Sequence, residues 1–396
     1  MTAVALAGTG LITALGSGPH AFWGGLLRGE RAFGELTAFE GDFRSRTVAA
    51  VPPSAFPAIP DRAAPDRTAP GRTAPDRTTP GRRKHALSLA AAAQALRAAG
   101  LPGLPAGALV VLVSQAPGTA DGAAREFTGP DPDALLAALG SSPGRAAVVH
   151  LSHACASAAF AASFARDWLL SGLGDTALVV GASTLNPYEY ASMDVVRALS
   201  PGGARPFDAA RDGITVGEGG GAFVLETAAR ANRRGHRPKA WLSGAACLVD
   251  STQAVASEPA AIRAAMRGAL EDAGVGRVDY VHAHATGTAQ GDAAEVEAVG
   301  ELARELGPHP VPVSSHKGAV GHLLHASAFP ALVAAVGFLR EARLPGTPGL
   351  RDPLEVPDGV VTVRESTAAV RAEHVLVNSF GFSGNNASLV LSAAGR

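Results

Sequence analysis

The chain has 396 residues and a formal net charge of -1, with 47% hydrophobic and 17% charged residues. This composition excludes general disorder, and the near-neutral charge provides no overall field for nucleic acid or an anionic membrane surface. No apolar run reaches the roughly 18 residues that a membrane span needs. The two cysteines, Cys155 and Cys247, exclude a disulfide framework and favour a reducing, cytoplasmic location.

Apolar runs of strand length alternate with longer Ala- and Leu-rich segments of helical period, which is typical of an α/β protein with largely parallel, buried sheets. Strands are predicted at Val4–Ala7, Ala108–Val113, Ala147–Leu151, Ala177–Val180, Ala240–Leu242, Tyr280–Ala283 and His374–Asn378. Helices are predicted at Ala86–Ala99, Ala156–Leu170, Pro259–Ala273 and Ala293–Leu306. This order predicts two successive α/β halves, residues 1–232 and 233–396, joined near Arg230–Pro238.

A proline-rich repeat interrupts the first half. Residues 61–84 read DRAAPDRTAPGRTAPDRTTPGRRK, with seven basic and three acidic side chains. Proline at this density opposes helix and central strand, so an extended surface insertion is predicted. A solvated low-complexity insertion is the favoured interpretation, and an electrostatic landing area for an acidic carrier protein is the alternative.

Cys155 is the first candidate for chemistry. The strand-like segment AAVVHLS ends at Ser152, and a helix rich in small residues follows. A thiol at a helix N-terminus is expected to be stabilised as thiolate, and the free N–H groups there can donate to an oxyanion. A buried free cysteine that serves only as a small hydrophobic residue is the alternative.

Two further segments place polar side chains where a strand ends and a helix begins. In HAHATGTAQGDAAEVEAV, His284 follows a strand, with Thr286 and Thr288 beside it, whereas His282 is interpreted as a core residue. In VPVSSHKGAVGHLLHASA, Lys317 and His322 lie five residues apart. A lysine in such an apolar stretch must be paired or hydrogen-bonded.

A last segment, NSFGFSGNNASLVL from Asn378 to Leu391, alternates glycine-type and aromatic positions. It predicts a mobile loop that carries Phe380 and Phe382 near a site, or else a plain tight turn.

In these segments the sequence resembles the β-ketoacyl synthases of the thiolase superfamily, particularly the elongating enzymes of fatty-acid and type II polyketide synthesis. The resemblance covers nearly the whole chain. It is carried, in the family's order, by VALAGTGLITALG, HACASA, ALSPGGARPFDAARDGITVGEGGGAFVLE, HATGT, SSHKGAVGH and NSFGFSGNNA. It implies a thiolase-like fold of two similar βαβ-type halves in five layers, α-β-α-β-α.

The resemblance also implies a role for each matching residue. Cys155 matches the acyl-accepting nucleophile, and His284 and His322 match the histidines that assist decarboxylation and hold the enolate oxygen. Lys317 matches the lysine that supports the second histidine. Supporting matches are Glu295, which helps order that lysine, Thr286 and Thr288, which bind the phosphopantetheine arm, and Phe382, the gating aromatic whose backbone N–H completes the oxyanion hole with that of Cys155.

The implied reaction is a decarboxylative Claisen condensation between an acyl group on Cys155 and a malonyl unit. It needs no metal or other cofactor, because acyl carrier protein presents the substrates on phosphopantetheine. The family implies a homodimer, or a heterodimer with a homologous ketosynthase-like subunit. Nucleic acid and membrane partners are not expected.

Some positions depart from the family pattern. Ala285 and Ala158 stand where glycine is usual, and His325, Ser327 and Ala328 replace small residues behind His322. An acyltransferase or thioesterase that has lost condensation therefore stays open, as does a ketosynthase-like partner subunit, although such a subunit normally lacks the cysteine. A thiolase would need a second cysteine near the C-terminus, which Asn378–Leu391 lacks. An initiating synthase would pair one histidine with asparagine, whereas this sequence has the two histidines His284 and His322.

Overall fold

The computed structural model describes residues 3–56, 80–115, 129–250, 257–369 and 371–395. The strands are β1 Val4–Thr13, β2 Gly16–Ser17, β3 Gly34–Glu35, β4 Thr47–Ala49, β5 Leu109–Val113, β6 Ala147–Leu151, β7 Thr176–Ser183, β8 Val216–Gly217, β9 Gly219–Glu226, β10 Ala240–Val249, β11 Tyr280–His282, β12 Val311–Ser314, β13 Arg343–Leu344, β14 Val360–Thr362, β15 Thr367–Ala368, β16 His374–Gly381 and β17 Asn385–Ser392. The helices are α1 Pro19–Leu27, α2 Pro80–Ala98, α3 Pro132–Ala138, α4 Ser157–Leu170, α5 Pro187–Val195, α6 Ala228–Arg233, α7 Pro259–Ala273, α8 Ala289–Leu306, α9 Lys317–Val320 and α10 Ala328–Glu341.

The main sheet contains the same five-strand arrangement twice, and β14 extends the second copy. Its order is β14-β12-β11-β16-β17-β10-β1-β9-β7-β5-β6, with β2 on the side of β1. In each half the first strand pairs antiparallel with the last, β1 with β9 and β10 with β17. Antiparallel pairing of β1 with β10 joins the two halves. The sheet is therefore mixed, so the prediction of largely parallel sheets holds only for β5–β6–β7 and for the ladder of β11, β12, β14 and β16.

Matching glycines let an outer helix approach each half. The β1–β9 register shifts at Gly8 and the β10–β17 register shifts at Gly244. A Cβ at Gly8 would lie 2.2 Å from the carbonyl oxygen of Ala95 on α2, and one at Gly244 would lie 2.3 Å from that of Ala269 on α7. Backbone contact this close is open only to glycine, so α2 and α7 form equivalent outer layers.

The middle layer is apolar and lies between the two half-sheets. Helices α4 and α10 contact each other; α4 also packs on β5, β7, β10 and β17, and α10 on β1, β9 and β16. The α10 residues from Ala328 to Leu339 are all buried, and they share one core with Ala158, Ala161 and Ala162 of α4. The predicted five-layered α-β-α-β-α fold is confirmed.

The end of the proline-rich repeat was predicted wrongly. Helix α2 begins at Pro80, six residues before the predicted start, because proline is tolerated in the first turn of a helix. Lys84 lies on this helix, is 1% exposed and pairs with buried Glu189 at 3.2 Å. The rest of the repeat falls within residues 57–79, outside the described residues.

The segment predicted as a mobile loop is mostly a β-hairpin. Strands β16 and β17 pair from His374↔Ser392 to Gly381↔Asn385, which leaves only the turn at residues 382–384. Phe380 is a buried strand residue, whereas Phe382 lies in the turn.

In the described part of the chain, no helix has the length and apolar character that crossing a membrane requires.

Candidate active site

Cys155 lies on a sharp bend between β6 and α4. The bend contains Ala154 in the left-handed conformation, with φ of 47°, which is a strained state for an alanine. Ser157, the first residue of α4, stabilises the bend because its hydroxyl accepts from the His153 amide at 2.7 Å and donates to the Ala154 carbonyl at 2.6 Å. The predicted place of the thiol, at the start of a helix, is where the structure puts it.

The C-terminal end of β16 lies against this bend. The Ser379 hydroxyl donates to the Cys155 carbonyl oxygen at 3.3 Å. A Cβ on Gly381 would lie 2.9 Å from the Cys155 amide nitrogen and 3.1 Å from that of Ala156. The ring of Phe380, between these two positions, lies 5.4 Å from that of His284, centroid to centroid. Strand β16 thus brings the thiol loop of the first half to a histidine of the second.

His284 and His322 form a pair with their rings edge to face, at a centroid separation of 5.5 Å. The first half of the chain holds the backbone of His322, a residue of the second half, since the His322 amide donates to the Thr215 carbonyl and its carbonyl accepts from the Gly217 amide. Its Nδ1 accepts from the Leu324 amide at 3.2 Å. Because an amide can only donate, the neutral His322 ring carries its proton on Nε2.

Two charged residues hold the backbone of His284. Glu295 accepts from the amides of His284 and Ala285 at 2.9 and 2.7 Å, and Lys317 Nζ donates to the His284 carbonyl. Asn378 on β16 donates to the same carboxylate at 2.9 Å. Among the described residues Glu295 and Lys317 form no direct ion pair; they act on the same peptide from opposite ends.

Thr286 and Thr288 lie on the turn that leads into α8, with their hydroxyls 3.1 Å apart. Thr288 lines a cavity of about 320 Å³ together with Phe382 and Arg197. This cavity opens beside the hairpin turn that follows Gly381. The structure therefore places Thr288 and Phe382 on the wall of one cavity, with the Thr286 hydroxyl beside that of Thr288.

Burial dominates the electrostatics. It lowers the pKa values of His284 and His322 well below their usual range, and Lys317 adds to the effect, so both rings are neutral at pH 7. It also lowers the pKa of Lys317 and raises that of Glu295.

The expectation of a stabilised thiolate was wrong. Burial raises the pKa of Cys155 to about 11, and Lys317 and a backbone hydrogen bond offset only part of that rise. The thiol is neutral at rest. Its proton must leave as the sulfur reacts.

Sequence reasoning missed two residues that build the site. Asp292 is fully buried and accepts from the amides of Thr286, Gly287 and Phe207 at 2.8–3.2 Å, so it shapes the threonine turn. Asn378 links β16 to Glu295 across 83 residues. Asp292 could have been found from the sequence, because it is an acidic residue in the first turn of α8, where carboxylates commonly accept from free backbone amides. No local pattern indicates the contact of Asn378.

Comparison with known proteins identifies the family. The beta-ketoacyl synthase N-terminal domain matches residues 1–231, and the beta-ketoacyl synthase C-terminal domain matches residues 240–351. The chain belongs to the β-ketoacyl synthase family.

The family assignment agrees with both sequence and structure relatives. The chain is 34% identical over 273 residues to 3-oxoacyl-[acyl-carrier-protein] synthase 2 of Mycobacterium bovis, which is 65% of this chain and 64% of that one. It spans less than two thirds of the length of other curated relatives as well. A beta-ketoacyl synthase from Burkholderia phymatum has a TM-score of 0.83 and 27% identity, covering 99% of this chain and 100% of that one. The ishigamide ketosynthase/chain length factor has a TM-score of 0.82 and 26% identity, covering 99% of each chain.

Proposed function

We propose that this ketosynthase catalyses decarboxylative Claisen condensation of a Cys155-bound acyl group with a malonyl unit on acyl carrier protein. The observation that supports it best is the neutral, edge-to-face pair of His284 and His322, linked through β16 to the bend that carries Cys155. Neutral imidazole N–H groups can hold a developing enolate oxygen, and a thiol can hold an acyl group.

In the first step the sulfur of Cys155 attacks the acyl thioester, its proton passes to the departing carrier thiol, and a new thioester forms. The amides at Cys155 and Phe382 are proposed to bind the tetrahedral oxyanion. In the second step the malonyl thioester loses carbon dioxide, and the electron pair of the broken bond becomes an enolate. His322 and His284 are proposed to hold its oxygen, and Lys317 and Glu295 to fix the His284 backbone.

The enolate carbon then attacks the acyl carbonyl, a carbon–carbon bond forms, the carbon–sulfur bond to Cys155 breaks, and the released thiolate takes a proton from solvent. Thr288 on the wall of the cavity and Thr286 beside it are proposed to bind the amides of a phosphopantetheine arm, and Phe382 on the same cavity is proposed as the gate. We propose no other cofactor and no metal. Fatty-acid or polyketide synthesis is the proposed setting, and a cytoplasmic location stays a prediction.

The proposed partners are acyl carrier protein and a second ketosynthase-like chain, either another copy or a homologue. A ketosynthase-like partner subunit is the second candidate function, because one structural relative is a ketosynthase/chain length factor. The retained cysteine at the bend supports the catalytic role.

The test uses intact-mass spectrometry after incubation with acyl carrier thioesters and malonyl carrier protein. The wild type should gain one acyl group and release carbon dioxide, and Cys155→Ala should gain none while Cys247→Ala behaves as wild type. His284→Ala and His322→Ala should acylate but release little carbon dioxide. Acylation of the wild type without decarboxylation would favour an acyltransferase or thioesterase, and no acylation at all would favour the partner subunit.

A further inference from the structure

The ring of His322 has two hydrogen-bond partners at a single atom. The Leu324 amide lies 3.2 Å from Nδ1, and the Ser327 hydroxyl oxygen lies 2.5 Å from it. Since Nδ1 already accepts from an amide and carries no proton in the neutral ring, Ser327 must donate as well. This hydroxyl is one of the departures from the family pattern.

The segment that carries Ser327 is anchored to the first half of the chain. Ser327 is 2% exposed and follows a short 3-10 turn, Leu324–Ala326, just before α10. His325 in this turn is fully buried, and its Nε2 lies 2.9 Å from the Ala182 carbonyl of β7, which can only accept. His325 therefore holds the turn in place, and the Ser327 hydroxyl has a fixed position beside the ring.

We propose that Ser327 is a positioning residue for His322: its hydroxyl holds the ring in one orientation with the proton on Nε2, so that His322 acts only as a hydrogen-bond donor. The inference rests on the proposed condensation, which needs an N–H facing the enolate oxygen. A donor at Nδ1 draws electron density from the ring, so the Nε2–H becomes a stronger donor. It also opposes a second proton on the ring, in the same direction as burial and Lys317, which lower the pKa of His322.

The partner ring lacks this restraint. Nδ1 of His284 is buried without a hydrogen-bond partner in the part of the chain that the structure describes. The two histidines therefore differ: hydrogen bonds at Nδ1 restrain the His322 ring as a donor, whereas no hydrogen bond from the described residues restrains Nδ1 of His284. Deleting the Ser327 hydroxyl should reduce this difference without touching substrate.

The experiment compares wild type, Ser327→Ala, Ser327→Cys and the control Ser88→Ala. Ser88 lies on the outer helix α2, and its buried hydroxyl has no partner in the described chain, so this control measures the cost of deleting a buried hydroxyl. The first readout is the ¹⁵N NMR signals of the His322 ring in the resting protein, assigned with His322→Gln. The second is the pH dependence of carbon dioxide release from malonyl carrier protein.

In Ser327→Ala the Nδ1 signal should move towards that of a less hydrogen-bonded nitrogen. The acid limb of the pH–rate profile should move to higher pH by roughly 0.5–1 unit, because the ring is protonated more easily without the donor at Nδ1. Loss of one neutral hydrogen bond changes such an equilibrium by roughly three- to ten-fold. We expect kcat to fall about five-fold with little change in KM for the malonyl carrier, since His322 acts in the transition state. Cysteine has nearly the volume of serine but is a weak donor, so both readouts of Ser327→Cys should lie between those of wild type and Ser327→Ala.

Wild-type nitrogen signals and an unshifted acid limb in Ser327→Ala would overturn the inference. So would equal shifts in Ser88→Ala, or a Ser327→Cys protein that matches wild type in both readouts, which would assign the effect to packing. If the wild type releases no carbon dioxide, the proposed condensation fails, whereas the NMR comparison still decides the role of Ser327.

Discussion

At the scale of single residues, Cys155 shows that burial can outweigh a helix N-terminus. The bend before α4 and the nearby Lys317 both favour thiolate, yet desolvation raises the thiol pKa to about 11. A sequence shows where a helix starts but not how deeply its first residues are buried. The location of the thiol was therefore predictable, whereas its protonation state was not.

Alkylation by iodoacetamide should report this protonation state. With the pKa above the assay range, the thiolate fraction and the inactivation rate should rise about ten-fold per pH unit from pH 7 to 9. Cys247→Ser leaves Cys155 as the sole thiol, and Cys155→Ala gives the background; burial raises the pKa of Cys247 to about 12, so it should react little. A rate that levels off near neutral pH would mean that the thiolate expected from the helix N-terminus is correct.

The other site residues were predictable where a local sequence segment marks them, and less so where their contacts join residues far apart in the sequence. Cys155, His284, Lys317 and His322 stand in recognisable segments, and the structure brings these segments together. The hydrogen bonds that hold the His284 backbone were less predictable, because Glu295, which accepts from the His284 amide, is itself held by Asn378, 83 residues away.

At the scale of elements, the apolar runs located the strands but not their ends. Ala147–Leu151 and Pro259–Ala273 agree with β6 and α7, whereas β1 and β10 extend well past their predicted ends. Strand β9 was missed because it begins with three glycines, which do not resemble a strand. Its glycines are required by packing: a Cβ at Gly221 would lie 2.2 Å from the side chain of Phe329.

The approach of β16 to the thiol bend gives a test at this scale. Gly381→Ala would place a methyl group 2.9 Å from the Cys155 amide and 3.1 Å from the Ala156 amide, where the proposed oxyanion would lie. Acylation of Cys155 should slow by at least about ten-fold, since loss of an oxyanion donor costs that much or more. The measurement is the rate of acyl-enzyme formation by intact mass.

Gly202→Ala is the matched control, because a Cβ there meets nothing within 4 Å. It should acylate at the wild-type rate. Thermal unfolding of both variants separates a local change at the bend from general destabilisation. Normal acylation of a well-folded Gly381→Ala protein would show that the oxyanion is not held between β16 and the bend.

At the scale of the whole molecule, the two halves have the same strand order and supply different parts of one site. The first half contributes the thiol bend, the second contributes both histidines, and β8 of the first half holds the His322 backbone. Neither half alone contains the thiol and the imidazoles together. The alternation of apolar runs predicted two α/β halves, but the antiparallel β1–β10 contact that joins them has no local signal.

The outer edge of the first half is the surface where a second chain would extend the sheet. Among the strands of the described residues, β6 is the last in the sheet order and none pairs with its outer side; its five residues are all half-buried. Because the Ala147 amide donates to Ala108 on the β5 side, the amides of Val148 and His150 point the other way, towards the open edge. Unpaired edge groups of this kind are a template for strand pairing.

The chain should be a dimer through β6, and Val148→Pro should make it a monomer, because proline removes one outward N–H and leaves the ladder with β5 intact. Thr362→Pro is the control: it lies on β14 at the opposite end of the same sheet, where the inward amide belongs to Val363, which donates to Val313. The measurement is native mass spectrometry of both variants at equal protein concentrations, which separates monomer from dimer. Dissociation by Thr362→Pro, or a dimer that persists in a folded Val148→Pro protein, would place the partner on another surface.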